Sequence, residues 1–209
     1  MSLALASKNH APPVVPTTES RVMSRFEAGR SLVEVLMMLV VMTILAGTAI
    51  PRGWAFVQEY QLRGASLYMR GLIRQVRSLA VSKNTYVAIV FDEVDGGPEL
   101  AIHIDGNGNG IRRADIRSGI DKKHRGPLKL GDLFHGIRYG SPANAAVPEF
   151  PPLRIGRSRI LSFSPIGQST SGTLFLSNEY GTIHAVVVLG ATGRVRVARY
   201  WNGRWEPVS

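Results

Sequence analysis

Two short stretches of this chain carry side chains of the kinds that bind ions, and a third places one carboxylate where a carboxylate is costly. The first is DGNGNGIRRAD, residues 105–115. Asp105, Asn107 and Asn109 fall at positions 1, 3 and 5 of a calcium loop of the EF-hand type, with Gly110 at 6 and the Ile111 carbonyl at 7. Position 12 needs a bidentate acid and holds Ile116, while Asp115 stands one place early. Weak, millimolar calcium binding by Asp105, Asn107, Asn109 and Asp115 is the most this pattern predicts. Asp, Asn and Gly are also what a tight turn demands.

The second stretch is GRVRVARYWNGRW, residues 193–205. In a strand, alternation sends Arg194 and Arg196 to one face and Val195 and Val197 to the other. Arg199 and Arg204 add charge, and Tyr200, Trp201 and Trp205 add ring surface. Guanidiniums interleaved with aromatics suit phosphate contact and base stacking, so DNA is a candidate partner. The plain alternative is a hairpin with a charged outer face. RIGRSR, residues 154–159, could extend the same patch or simply solubilise a loop.

The third is Glu34, the one charge in the run from residue 32 to residue 50. That run approaches the roughly 20 residues a helix needs to span a bilayer, and it predicts a transmembrane segment. An unpaired carboxylate there costs several kcal/mol, so Glu34 either snorkels to the interface or meets a cation from elsewhere.

Signals for catalysis are missing. His103, His124, His135 and His184 have no ligand spacing, no Gly-x-Ser-x-Gly or phosphate loop occurs, and no cysteine is present for thiol chemistry or disulfides. The chain reads as a non-enzyme with no cofactor beyond the calcium candidate.

The elements that must position these residues follow from periodicity. Beyond Pro51, Ala65, Tyr68, Leu72, Val76 and Leu79 recur at spacings of 3 and 4, while Arg63, Arg70, Arg74 and Arg77 fall opposite, so one helix is expected to continue to about Lys83. Its arginine side is expected to face outward. The period then changes. Strands are expected at 85–92, 99–105, 159–164, 172–177, 182–190 and 194–201, and Asn202-Gly203 signals a type I′ hairpin. Residues 106–158 are rich in Gly, Pro and charge and read as a loop-rich region with one strand candidate at 132–140.

The chain holds 25 Lys and Arg against 15 Asp and Glu, a formal +10 that favours anionic partners. Residues 1–25 are rich in Pro, Ser and Thr and lack periodicity, as a disordered leader would. Positive residues ahead of the apolar run point to a cytoplasmic leader and an outward-facing C-terminal domain.

Gly29 stands just before the apolar run and five residues ahead of Glu34. This arrangement resembles the type IV prepilin leader. The resemblance implies a cut between Gly29 and Arg30, with Arg30 as the mature N-terminus where the family usually has Phe. It also implies that Glu34, at the fifth mature position, pairs with the N-terminal amine of a neighbouring subunit. Pro51 falls where pilins commonly place a kinking proline. Farther on, FSPIGQSTSGTLFLS (163–177) and IHAVVVLGATGRVRV (183–197) resemble the C-terminal pattern of the GspH/FimT group of pseudopilins and minor pilins.

The resemblance implies an α+β fold in which a long N-terminal pilin helix, membrane-spanning in its first half, packs on a mostly antiparallel C-terminal β domain. The organisation expected is a leader at 1–29 removed by prepilin peptidase, a stalk helix at 30–83 with 32–50 transmembrane, and a β domain at 84–209. The function implied is a minor pilin or pseudopilin of a type IV pilus or type II secretion pseudopilus, at or near the tip. Partners would be other pilins, the prepilin peptidase/N-methyltransferase that cuts and methylates the chain, and the inner membrane, with the domain periplasmic. Some FimT-type minor pilins bind DNA through a Gly-Arg-x-Arg motif, matched here by Gly193-Arg194-Val195-Arg196, which makes DNA uptake the alternative.

Overall fold

One helix, α1, runs unbroken through Leu32–Lys83, ending where the periodicity predicts. The computed structural model describes residues 31–94, 97–142 and 147–208, with the side chains of 48–52 outside that description. The leader, the expected processing pair Gly29 and Arg30, and the side chain of Pro51 therefore lie outside the described residues. The chain divides into two units, Met1–Leu45 and Ala46–Ser209.

In the first unit, every large apolar side chain from Leu32 to Leu45 is exposed, from 42% at Met38 to 77% at Leu32. A helix apolar on all sides is stable only inside lipid or a helix bundle. Thr43 turns its hydroxyl back to the Leu39 carbonyl at 2.7 Å, which satisfies it without an outside partner. Among the described residues no helix is long and apolar enough to cross a membrane. The expected span, 32–50, ends in residues whose side chains are not described.

In the second unit α1 becomes amphipathic. Leu62, Ala65, Met69, Leu72, Ile73, Val76 and Ala80 are buried at spacings of 3 and 4, and Tyr68 and Leu79 pack at the margins of that stripe. The stripe is thus centred on Met69 and Ile73 rather than on Tyr68 and Leu79.

Two antiparallel sheets cover the stripe. Sheet A has the order β3-β2-β1-β6, built from β1 (Val87–Val94), β2 (Gly97–Ile104), β3 (Lys122–Lys129) and β6 (Ile160–Phe163). Sheet B has the order β10-β9-β8-β7-β4, built from β4 (Arg138–Tyr139), β7 (Gly172–Ser177), β8 (Ile183–Leu189), β9 (Arg194–Trp201) and β10 (Arg204–Pro207). A short β5 (Leu153–Ile155) also pairs with β7. Alternate residues, Ile89, Phe91, Leu100, Ile102 and Leu161 from sheet A and Leu174, Leu176, Val186, Val195 and Val197 from sheet B, meet the helix in one core. Burying each such side chain stabilises the fold by roughly 1.5–3 kcal/mol. Smaller clusters cover the outer faces, Ala88, Val90, Ile111 and Ile160 on sheet A and Phe175, Ile183 and Ala185 on sheet B.

The six expected strands are all present, β7 and β9 with their expected ends. Asn202 and Gly203 have φ of 45° and 79°, and Trp201 pairs with Arg204, as a type I′ turn requires. Residues 106–158 are less irregular than expected. They contain β3, β4, β5 and two short helices, α2 (Arg113–Arg117) and α3 (Leu130–Leu133). β3 was hidden because KKHRGPLK lies at a sheet edge and has no buried face to impose alternation. The strand candidate 132–140 divides instead into the end of α3 and the two residues of β4.

Candidate functional site

β9 alternates as expected. Val195 and Val197 are buried against the helix, and Arg194 and Arg196 are exposed on the outer face of sheet B. The register extends this face. Arg196 lies opposite Val187, Val187 opposite Thr173, and Thr173 opposite Arg154. Cross-strand partners share a face, so Arg154 of the RIGRSR stretch stands at the other end of a row with Arg196. The Arg154 guanidinium lies 5.8 Å from the centre of the Phe175 ring. Phe150 stacks on Phe175 at 5.0 Å, and Trp205 lies 5.4 Å from Phe150 and 5.2 Å from Tyr200.

The other two candidate arginines belong elsewhere. Strand parity sets Arg199 on the helix side with Val195 and Val197, where it pairs with Glu59 at 2.9 Å and lies 4.7 Å over the Trp201 ring. Arg204 lies opposite Trp201 and shares that side. The expectation of one patch holding Arg194, Arg196, Arg199 and Arg204 is therefore corrected: two are on each face, because the strand period is two.

Beneath Arg199 is a cavity of about 380 Å³ between α1 and the β9–β10 hairpin, lined by Phe56, Tyr60, Arg63, His184, Arg199 and Glu206 among others. The His184 Nδ1 lies 2.9 Å from Ser66 Oγ, and that hydroxyl donates to the Leu62 carbonyl at 2.8 Å. With the serine proton so committed, Nδ1 carries the ring proton and donates to Oγ. Burial, then the charges of Arg199 and Arg63, push the His184 pKa down to about 4. Serine beside histidine has the composition of a nucleophile and its base. Ser66 has no exposed surface, though, so the pair is a satisfied buried contact between helix and sheet.

The calcium-like loop closes on its own amides. The Asp105 carboxylate accepts hydrogen bonds from the N–H groups of Asn107 and Gly108, both at 2.9 Å, and Gly110 at 2.7 Å. Asn107 Oδ1 accepts from Asn109 N–H at 3.2 Å. Asp121, only 2% exposed, accepts from Gly106 at 3.3 Å and Arg112 at 3.1 Å. Asp115 contributes its backbone carbonyl to Asp121 N–H at 3.1 Å. The loop's own amides thus take up the Asp105 and Asp121 carboxylates, and among the described residues no three His, Asp or Glu side chains are arranged to hold a metal.

Arg77 was expected to face outward and does not. Its Nε donates to the Gly167 carbonyl at 2.9 Å. Gly193, φ +60°, packs against both, since a Cβ there would fall 2.5 Å from the Gly167 carbonyl oxygen and 2.8 Å from Arg77 Nε. The glycine of the Ser-Pro-x-Gly turn and that of the Gly-Arg turn thus meet on one helix arginine. Sequence spacing could not reveal this contact, because the three residues come from three separate elements.

No family model and no curated protein matches the chain. Among solved structures, the crystal structure of the type IV minor pilin FimU of Pseudomonas aeruginosa (strain PAO1) is similar, at 17% identity and a TM-score of 0.34, over 74% of this chain and 92% of that one. A likeness so distant carries no weight for fold or function.

Proposed function

We propose that the chain is a structural subunit of the type IV pilin class, a minor pilin or pseudopilin of the GspH/FimT kind and not an enzyme. It would be made as a precursor held in the inner membrane, cut between Gly29 and Arg30 by the prepilin peptidase/N-methyltransferase, and incorporated at or near the tip of a pilus or secretion pseudopilus with its β domain outward. The observation that carries this reading is the exposed apolar helix from Leu32 to Leu45 with its single carboxylate at Glu34. Such a helix requires apolar neighbours, and in a bundle of like helices Glu34 becomes inexpensive once a cation from the next subunit meets it. That cation would be the Arg30 amine freed by cleavage. The test is a Glu34→Ala variant, which is expected to be cut normally and to fail to assemble. Normal incorporation would remove the reading.

A second reading is favoured by the outer face of sheet B. Arg154, Arg194 and Arg196 share it with Phe150, Tyr200 and Trp205, which suits a nucleic-acid backbone and its bases. Under it the subunit would bind DNA through Arg194 and Arg196, while Arg199 would stay with Glu59. Duplex affinity unchanged in an Arg194→Ala, Arg196→Ala variant would sink it.

A further inference from the structure

A second basic region lies at the free edge of sheet A, in the stretch RRADIRSGIDKKHR, residues 112–125. Arg112, Arg117, Lys122, Lys123 and Arg125 are all exposed there. None has an anionic partner among the described residues. Two acids beside these cations, Asp105 and Asp121, are buried and turned inward, while Asp115 of the same stretch is half-buried. Asp121 ties Gly106 to Arg112, and Asp105 closes the loop that precedes α2. Buried carboxylates thus hold a platform whose cations remain in solvent.

Beside β3 the edge opens into a groove of about 320 Å³ against α1, lined by Gln75, Ser78, Ser82, His124 and Arg125 over a floor that includes Val76. Ser82 turns its hydroxyl to the Leu79 carbonyl at 3.1 Å, which leaves Gln75, Ser78, His124 and Arg125 as donors. No carboxylate lines this groove.

Lysines on an edge strand commonly serve to block edge-to-edge pairing, and that alone would account for Lys122 and Lys123. It does not account for the groove next to them, whose rim carries donors over an apolar floor of Val76, Leu79 and Ile102. A second copy of this chain is a poor occupant. Five ion pairs already take Asp92, Glu93, Glu99, Glu179 and Glu59, and the remaining exposed or half-exposed acids of this unit among the described residues, Asp115, Asp132, Glu149 and Glu206, are scattered over three elements and a loop. Two chains of formal charge +10 would meet cation to cation. Single-stranded nucleic acid lacks a stacking platform here, since residues 112–125 contain no Phe, Tyr or Trp.

We propose that the α1–β3 groove and the basic edge beside it form the docking surface for an acidic, extended segment of a different protein chain, whose carboxylates meet Arg125 and Lys122, the two edge cations that pair with Ile102 and Ile104 on the helix side of sheet A. This deepens the subunit reading and rests on it for the nature of the partner, a heterologous subunit rather than a copy of this chain. The fit is one of charge and hydrogen-bond donors, so it governs association rate and partner choice.

The probe is a fluorescent octaglutamate peptide, titrated by anisotropy into the full chain in detergent micelles. Two variants attack the site differently: Lys122→Glu with Arg125→Glu reverses its charge, and Ser78→Trp fills the groove at constant charge. Each is expected to weaken binding about tenfold or more, while Arg194→Ala with Arg196→Ala changes it less than about twofold. Wild-type affinity in Ser78→Trp would overturn the proposal, as would an equal loss in the Arg194/Arg196 control. So would binding of a random-sequence DNA duplex by a chain that ignores the peptide. The peptide is read on unassembled chain, so failure here leaves the Glu34 assembly test standing, and failed assembly logic leaves this result standing.

Discussion

The two basic regions of this protein carry similar charge and are constructed in opposite ways. On sheet B, Arg154, Arg194 and Arg196 stand on a flat face beside packed aromatic rings, and the order behind them comes from valines in the core. On the edge of sheet A the cations stand on the short helix α2 and an edge strand with no buried face, and the order comes from Asp105 and Asp121 bonding backbone amides. Apolar packing fixes the first, and buried hydrogen bonds fix the second. Removing an exposed arginine therefore costs little anywhere, whereas removing an inward acid dismantles the edge.

The largest expected effect tests that contrast directly. Asp121→Ala leaves the Gly106 and Arg112 amides unpaired under a buried side chain and should cost about 2–3 kcal/mol by chemical denaturation. Arg194→Ala should stay within about 0.5 kcal/mol. Comparable losses in the two would break the comparison.

Next comes a pair of glycines, one from each region. Gly193→Ala must move the Gly167 carbonyl or Arg77 in addition to holding a left-handed φ, for an expected cost of about 2–3 kcal/mol. Gly119, φ +79°, has open space around it, so Gly119→Ala should cost only about 1 kcal/mol of backbone strain. Thermal unfolding of the two variants gives the order.

A smaller effect is expected from pH. The folded-state pKa of His184 is depressed to about 4 from an ordinary 6.5, so the folded chain favours the neutral ring. The stability this provides is fully present above about pH 6.5 and is lost as pH falls through 6.5 toward 4, because the unfolded chain takes up the proton first. Between pH 7 and 5.5 the loss should be about 1 kcal/mol, and it should vanish in His184→Gln. The smallest effect is Glu59→Gln, which removes the partly exposed pair with Arg199 and should cost no more than about 0.5 kcal/mol.

Elements with one buried face were legible in the sequence. Alternating valines announced β9, and apolar residues at spacings of 3 and 4 carried α1 to Lys83. β3 was not legible, since an edge strand exposed on both faces has no pattern to read. Among site residues, Arg194 and Arg196 were read with their faces, and Arg199 was misassigned by proximity in sequence to the same patch. Asp105 was singled out by residue type and spacing, and the bonds it makes here could not be read from either. Its neighbours were the loop's own amides, and Asp121, which completes the arrangement, lies outside any metal-loop spacing.

The sequence by itself determined what depends on local period and composition. That covers the long helix, the alternation of the strands, the Asn202-Gly203 turn, the excess of positive charge and the lone carboxylate in an apolar run. The tertiary structure alone decided which distant residues meet. Arg77 comes to Gly167 and Gly193, Ser66 to His184, Arg154 to the row of Arg196, and Gln75 and Ser78 to Arg125 across a groove. Each meeting joins residues remote along the chain: packing on one helix brings Arg77 and Ser66 within hydrogen-bond reach of their partners and opens the groove, and strand pairing sets Arg154 in the row of Arg196.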